Sequence, residues 1–419
     1  MAQLTDDCFA HGGKLMTTAQ ALVLLQEKLH CITEEEVLPV ALCLGRVLAQ
    51  DIISACDVPP HDNSAVDGYA VYFDDLNDNE NTLLPISDRI AAGSRIKGHL
   101  AQGTSARIFT GAPMPLGADT VLMQEDCELD NKSNILIPHG IKRGSNRRFS
   151  GEDVSADSII FKTGHVLKPQ DLGLISAVGV SRISVKKPLN VALFSTGDEL
   201  KNPGETLVSG EVYDSNRYAI TGLLQKLGCM VTDLGILADD LPTISEALSK
   251  ATGEFDLIIT SGGVSVGEED HVKQAVESQG SLHAWRLAIK PGRPIALGQL
   301  GQTAFVGLPG NPVAVIVTFA NFVRPLIQIL SGSTYREPFS FPVIAAFNHK
   351  KKIDRREWLR VHLKKNEHGA WEAHKFPRDG AGVLSSVCES DGFAELPEDL
   401  VTIEPGQIIT YLPFNEIAL

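Results

Sequence analysis

The chain has 419 residues, and 37 Lys and Arg against 52 Asp and Glu leave a formal net charge of −15. A hydrophobic content of 43% with 21% charged residues excludes disorder as the main state, and at roughly 100–200 residues per domain the length fits several domains. This acidic balance lacks the extended positive field that nucleic acid or an anionic membrane requires, so neither is an expected partner, while a local basic pocket stays open.

Seven cysteines at 31, 43, 56, 127, 229, 388 and 8 are odd in number and never spaced as CxxC, which disfavours a disulfide framework and a zinc ribbon. A reducing cytoplasm fits best. The opening MAQLTDDCFAHGGKL shows neither a basic n-region nor an apolar run, and no uninterrupted apolar stretch approaches 18 residues. Cytoplasmic residence is the expectation.

Leu22, Leu25 and Leu29 recur at helical spacing, and Thr17 or Thr18 can cap the helix that they imply. From 57 to 150 the texture changes. Short apolar runs (Ala70–Phe73, Ala106–Phe109, Thr120–Met123, Asn134–Ile137) alternate with Gly, Pro, Asn and Asp, as in a β-rich module. From Pro188, the runs LNVALFST, CMVTDLGIL, FDLIIT and TAFVGLPG are separated by helical-period segments, a βαβ rhythm that predicts a mostly parallel sheet covered by helices on both faces. Asp214, Ser215 and Asn216 offer caps for a helix that Gly228 ends, and Thr243 with Glu246 suggests a capping box. Residues 341 to 419 read as strands and turns of a small terminal β domain.

Ligands of such sheets sit beyond the strand C-termini near a switch point, which directs attention to the loops after Ser195, Thr260 and Leu308. In DLIITSGGVSVGEEDHVK (Asp256–Lys273) a strand runs into a loop bearing Gly262, Gly263 and Gly267, then into a helix starting near Asp270. Glycines permit close backbone approach, and free N–H groups at a helix start favour a phosphate. The same pattern serves equally as a tight turn whose acids Glu268, Glu269 and Asp270 complement the helix dipole. No GK[ST] makes it a Walker loop, and it lacks GxGxxG spacing. Asp198 and Glu199 in FSTGDEL should project from the same sheet edge; with Asp270 they could hold Mg²⁺, or simply be solvated. Arg286, Lys290 and Arg293 in RLAIKPGRPIALG fall within eight residues around a Pro-Gly turn, a spacing suited to an oxyanion as well as to an ordinary surface turn. No HExxH or GxSxG offers a competing enzyme signature.

Taken together, DVPPHDNSAVDGYAV, IFTGAPMPLGADTV, GSNRRFSGEDV, LFSTGDEL, DSNRY, TSGGVSVGEEDHVK, KPGRP, GLPGNPVAV, DRREWLRV and GAGVLSS resemble the molybdopterin molybdenumtransferases, the bacterial MoeA type related to the C-terminal part of gephyrin. The motifs run in family order from 57 to 386. The resemblance implies a multidomain α/β plus β fold. Its parts are a discontinuous elongated domain (15–56 and 151–187), an inserted β-rich domain (57–150), a doubly wound, mostly parallel molybdopterin-binding domain (188–332) and a C-terminal β-barrel-like domain (333–419).

It also implies that molybdenum from molybdate enters adenylylated molybdopterin, with Mg²⁺ as cofactor and release of AMP, in molybdenum cofactor biosynthesis. By carry-over, Asp67, Thr110, Glu199 and Asp270 are catalytic, and Glu199 and Asp270 hold the metal. Ser261, Gly262, Gly263, Val264, Ser265, Gly267, Asp153, Asp198, Pro309 and Asn311 bind the pterin nucleotide. Lys290, Arg293, Arg286, Arg355, Arg356, Ser385 and Ser386 attract molybdate. Asp67 and Thr110 would serve a site shared across a homodimer, and a separate adenylyltransferase would supply the substrate. The chain departs from the family where members often carry Lys at Arg286 and Arg293, and GNPVS where Ala314 stands. Two other functions compete: a molybdopterin carrier without turnover, which gives no reason for Asp67, Glu199 and Asp270 near an anionic ligand, and an adenylyltransferase, which gives no place to the first 150 residues.

Overall fold

The structure, a computed structural model, describes residues 15–95, 98–263 and 270–419, apart from the side chain of Ala284. The βαβ rhythm becomes a seven-stranded sheet among these residues, in the order Leu15–Met16, Ser281–Leu287, Pro294–Leu300, Thr303–Leu308, Leu257–Ser261, Asn190–Thr196, Met230–Leu237. The last four strands are mutually parallel, and Pro294–Leu300 runs antiparallel to both neighbours.

Period-two alternation divides the strand side chains between two helix layers. Val191, Leu193, Leu257, Ile259, Val306 and Leu308 face a core shared with the helices Thr18–Lys28, Asn216–Lys226 and Pro312–Thr318. Ala192, Phe194, Ile258 and Phe305 face the helices Leu241–Ala251 and His271–Gln279. The helical run Pro312–Leu330 is long and apolar enough to cross a membrane, but 83% of its most apolar window is buried, so that apolar surface is covered by the sheet core.

Helix boundaries follow local chemistry. Thr17 caps Thr18–Lys28 in a capping box with Gln20. The helix Leu241–Ala251 is capped by Asp240, whose carboxylate accepts from the Thr243 amide, so Thr243 is the recipient of the cap and not its donor, and no Thr243–Glu246 box forms. Ser215 occupies the cap position of Asn216–Lys226 without a side-chain bond. Asp214 instead accepts from the Arg217 amide and pairs with its buried guanidinium.

The chain runs from Asn190–Thr196 to the edge strand Met230–Leu237 and then crosses back to Leu257–Ser261 on the other side of its starting strand. The order therefore reverses between Thr196 and Ser261, and a crevice opens at their C-terminal ends.

Three further assemblies surround this sheet. The pairs Glu35–Pro39 with Arg182–Lys186 and Ile52–Ile53 with Ile159–Phe161 enclose a small core with the helix Pro169–Ala177. Between them in sequence lies a six-stranded sheet, ordered Thr120–Met123, Gly68–Val71, Ser105–Ile108, Thr82–Ile90, Asn134–Ile137, Glu128–Leu129. Near the C-terminus, Arg356–Lys365, Trp371–Lys375, Phe341–Ala345, Ile408–Pro413 and Gly392–Leu396 pair in that order, and the last returns to the first, closing a five-stranded barrel without a free edge.

Candidate functional site

Gly262 and Gly263 lie at the switch point with φ of +91° and +66°, in the left-handed region that favours glycine. A Cβ at Gly262 would sit 2.9 Å from the Thr196 carbonyl oxygen, and one at Gly263 would sit 2.4 Å from Val272 Cγ2. Both glycines are thus required for the backbone to pass between the neighbouring strand end and the helix His271–Gln279. That structural need coexists with an open face, since both residues line a cleft of about 520 Å³.

Asn216 joins two walls of this region. Its Nδ2 donates to Ser261 Oγ at 2.8 Å and to the Gly310 carbonyl at 2.7 Å, tying the glycine loop to the loop of Pro309 and Asn311. Its Oδ1 is buried and has no hydrogen-bond partner among the described residues. Pro309, Gly310, Asn311 and Ala314 line the cleft.

The cationic wall has a separate origin. The two-residue strand Ile289–Lys290 leaves the sheet domain and pairs with Arg356–Glu357 of the barrel. Lys290 Nζ lies 3.3 Å from Glu357 Oε2, and His349 Nε2 lies 3.0 Å from the same oxygen. Burial would raise the Glu357 carboxyl, but the His349 bond and the Lys290 charge outweigh it and hold the group below its ordinary value. Lys290 keeps about half of its side chain exposed, 48%, and so is anchored without being withdrawn from the cleft.

Arg293 and Arg355 line the same space. Burial, together with the charges of Arg355 and Arg286, pulls the Arg293 guanidinium below its ordinary pKa. An Arg293 guanidinium whose charge is disfavoured by two like-charged neighbours makes a site that an anion would stabilise. Arg360 also lines the cleft, held by Nε donation to Ser386 Oγ and Nη2 donation to the Arg378 carbonyl. Arg360 was not among the expected residues; the signal available was its place in DRREWLR, on the strand Arg356–Lys365 that Arg355 immediately precedes.

Other expected residues are placed differently. Arg356 is engaged by Glu395 and Glu398 and does not line the cleft. Ser386 is buried and serves Arg360, while Ser385 is exposed on a short helix outside the cleft lining. Arg286 is exposed on the second strand of the sheet, between Leu15 and Pro294, and reaches the cluster through its field on Arg293.

Carboxylates flank the glycine loop. Glu199 folds back over Gly197, its Oε2 2.5 Å from where a Cβ there would stand, and Asp198 is exposed beside it. Asp270 is buried and caps the helix His271–Gln279 through the Lys273 amide at 2.9 Å. His271 Nδ1 lies 3.5 Å from Asp239, which Thr196 Oγ1 also reaches, and neither Glu199 nor Asp270 is among the residues that line the cleft. Among the described residues no three His, Cys, Asp or Glu form a metal-holding group. One or two carboxylates are what Mg²⁺ takes from a protein when substrate phosphates supply other ligands. Val264, Ser265 and Gly267, like Glu268 and Glu269, lie outside the described residues.

Asp67, Thr110 and Asp153 do not line this cleft. Asp67 Oδ1 accepts from the Thr110 amide at 2.8 Å and its hydroxyl at 2.7 Å, and these bonds hold the carboxyl below its ordinary value. Asp153 is exposed after a turn in which its amide donates to the Val58 carbonyl.

Comparison with known proteins covers most of the chain. Residues 16–179 match the MoeA N-terminal region (domain I and II), 192–329 a "Probable molybdopterin binding domain", and 342–414 the MoeA C-terminal region (domain IV). A protein of Haemophilus influenzae named molybdopterin molybdenumtransferase is 38% identical over 404 residues, covering 96% of this chain and 100% of that one. One of the same name from a Nostoc species is 33% identical, covering 94% and 92%. The crystal structure of the molybdopterin biosynthesis moeA protein from Pyrococcus horikoshii superimposes with a TM-score of 0.79 at 28% identity, covering 96% of this chain and all of that one.

Proposed function

This chain belongs to the MoeA family of molybdopterin molybdenumtransferases, and on that premise we propose that it inserts molybdenum from molybdate into adenylylated molybdopterin and releases AMP. The observation that carries this reading is the meeting, in one cleft, of an anion-seeking cation cluster with a glycine cradle at a sheet switch point. Molybdate carries two negative charges, and an acidic chain needs local cations to hold it. Lys290, Arg293 and Arg355 face the cleft and supply them; Arg286 strengthens their field.

The backbone at Gly262 and Gly263 admits a phosphate closer than any side chain would allow. In the overall step, the two pterin thiols bond to molybdenum while one molybdate oxygen leaves as water with their two protons, and a water attacks the phosphoanhydride, so that its P–O bond breaks and AMP leaves while the pterin keeps its own phosphate. A divalent cation such as Mg²⁺, held by Glu199 and Asp270 with substrate phosphate oxygens, would draw charge from the bond that breaks. Asp67, with its lowered pKa, stays ionised and acts by charge and orientation. Since Asp67 and Thr110 sit on a module outside the cleft lining, we place them at the cleft of a second subunit in a homodimer.

Asp67→Asn, Glu199→Gln and Asp270→Asn each remove a charge with little change in shape. Asparagine at 270 also keeps a cap that alanine would lose at about 1 kcal/mol. Each variant is expected to slow AMP release at least about tenfold, a loss equivalent to about 1.4 kcal/mol of barrier, while still unfolding cooperatively in urea. Unchanged turnover in all three would remove the catalytic roles.

A further inference from the structure

The inserted sheet carries a second cationic feature that the cleft does not use. Arg89 and Arg107 are paired directly across parallel strands, and Arg107 is paired with Tyr69 across the next, antiparallel pair. Alternation along the strands puts Asp67 with Tyr69 and Phe109 with Arg107 on that same face, and Gln124, just past the strand Thr120–Met123, is bonded to Arg107. Arg89 stands over the Phe109 ring at 4.7 Å and Arg107 at 4.9 Å, while Arg107 also covers Tyr69 at 5.0 Å. Thr110, the next residue after Phe109, is the one that binds Asp67.

Two like charges side by side on neighbouring strands oppose pairing unless something compensates them. Arg107 donates to Gln124 and to the Gly68 carbonyl, both neutral, and among the described residues no carboxylate forms an ion pair with either guanidinium. Arg89 is exposed, and Phe109 and Arg107 are partly exposed. The ring screens part of the repulsion through its negative face. What remains is a surface of guanidiniums packed on the Phe109 ring, its positive charge offset only in part by the Asp67 carboxylate near Arg107, abutting a polar turn.

We propose that Arg89, Arg107 and Phe109 seat a planar heterocycle linked to a phosphate, the chemistry shared by the adenylate and pterin ends of the substrate, and so fix its position against Asp67 and Thr110. The seat rests on the assignment of Asp67 and Thr110 to a shared active site. Guanidiniums stack on π faces and present a donor fork to phosphate oxygens, which no single Lys does. Arg89, exposed and backed by the Phe109 ring, offers a guanidinium plane on which a heterocycle stacks, and Phe109 holds that plane in place. These are positioning residues, outside the bond-breaking set.

The test uses the full-length chain and two measurements. Steady-state AMP release is compared for wild type, Arg89→Ala, Phe109→Leu and Phe109→Trp. Calorimetry then measures binding of 5′-AMP and of 6-hydroxymethylpterin phosphate to the same proteins. The expected result is a KM for adenylylated molybdopterin raised at least fivefold in Arg89→Ala and Phe109→Leu, with half-saturating molybdate unchanged and Phe109→Trp close to wild type. Weakened 5′-AMP binding in the first two variants assigns the adenylate end to the seat, and weakened pterin phosphate binding assigns the pterin end. Unchanged KM together with unchanged binding of both probes would overturn the seat and leave a purely structural stack. A wild type that releases no AMP would sink the proposed reaction, yet the calorimetric comparison would still decide the seat.

Discussion

At the scale of single residues, backbone geometry and carboxylate chemistry set separate limits. Gly263 is fixed by two constraints, a φ of +66° and a Cβ position 2.4 Å from Val272. Gly263→Ala should therefore lower unfolding free energy by at least about 1–3 kcal/mol, read as a fall in the urea midpoint. A neutral result would mean that the loop relaxes at no cost. Asp67 owes its lowered pKa first to the Thr110 amide, next to the Thr110 hydroxyl, with burial opposing and Arg107 assisting. Because the folded value is lowered, the stabilising contribution is complete above the unfolded value, about 3.9, and is lost as pH falls through the folded one. Any loss of activity caused by Asp67 protonation should fall below about pH 3.9 in the wild type. Thr110→Val keeps the amide bond and removes the hydroxyl bond, so the Asp67 carboxyl resonance should titrate at a higher pH. An unmoved titration would show that the hydroxyl bond does not matter in solution.

At the scale of elements, the short strand Ile289–Lys290 is decisive because it leaves the α/β layer and pairs with the barrel. It sets Lys290 beside Glu357, and His349 keeps that buried carboxylate partnered when Lys290 is removed. Lys290→Ala should accordingly retain the fold and raise half-saturating molybdate at least about tenfold, as loss of one charged hydrogen bond implies. A rise confined to the pterin nucleotide requirement would relocate the oxyanion. The parallel strands and their switch point were legible in the sequence because β-branched runs alternate with helical periods, and the glycine loop declared itself by residue type. The cap at Asp240 was not, since Thr243 and Glu246 form the familiar pattern while the true cap stands three residues earlier. Nor was the division of labour in DRREWLR. Arg355 and Arg360 line the cleft while Arg356 pairs with Glu395 and Glu398, partners some forty residues away that only barrel closure brings near. Asn216 was visible as a helix start, but its bond to Gly310 depends on loops distant in sequence.

At the scale of the whole molecule, the cleft cations, the glycine loop and the carboxylates Glu199 and Asp270 belong to the sheet domain and barrel, whereas Asp67, Thr110 and the Arg89–Phe109 surface belong to the inserted module. A twofold dimer that sets one subunit's module at the other's cleft would complete two sites. Co-refolding Asp67→Asn with Lys290→Ala then creates hybrid dimers with one intact site in two. Activity should return to about a quarter of wild type after random mixing, although each parent is impaired. No gain over the parents would confine each site to a single subunit. The most direct measurement remains AMP release by the purified chain given adenylylated molybdopterin and a divalent cation, with and without molybdate. AMP appearing with molybdate and lagging without it is the expected result; no AMP in its presence, or the same rate in its absence, would contradict molybdenum insertion coupled to cleavage at this cleft.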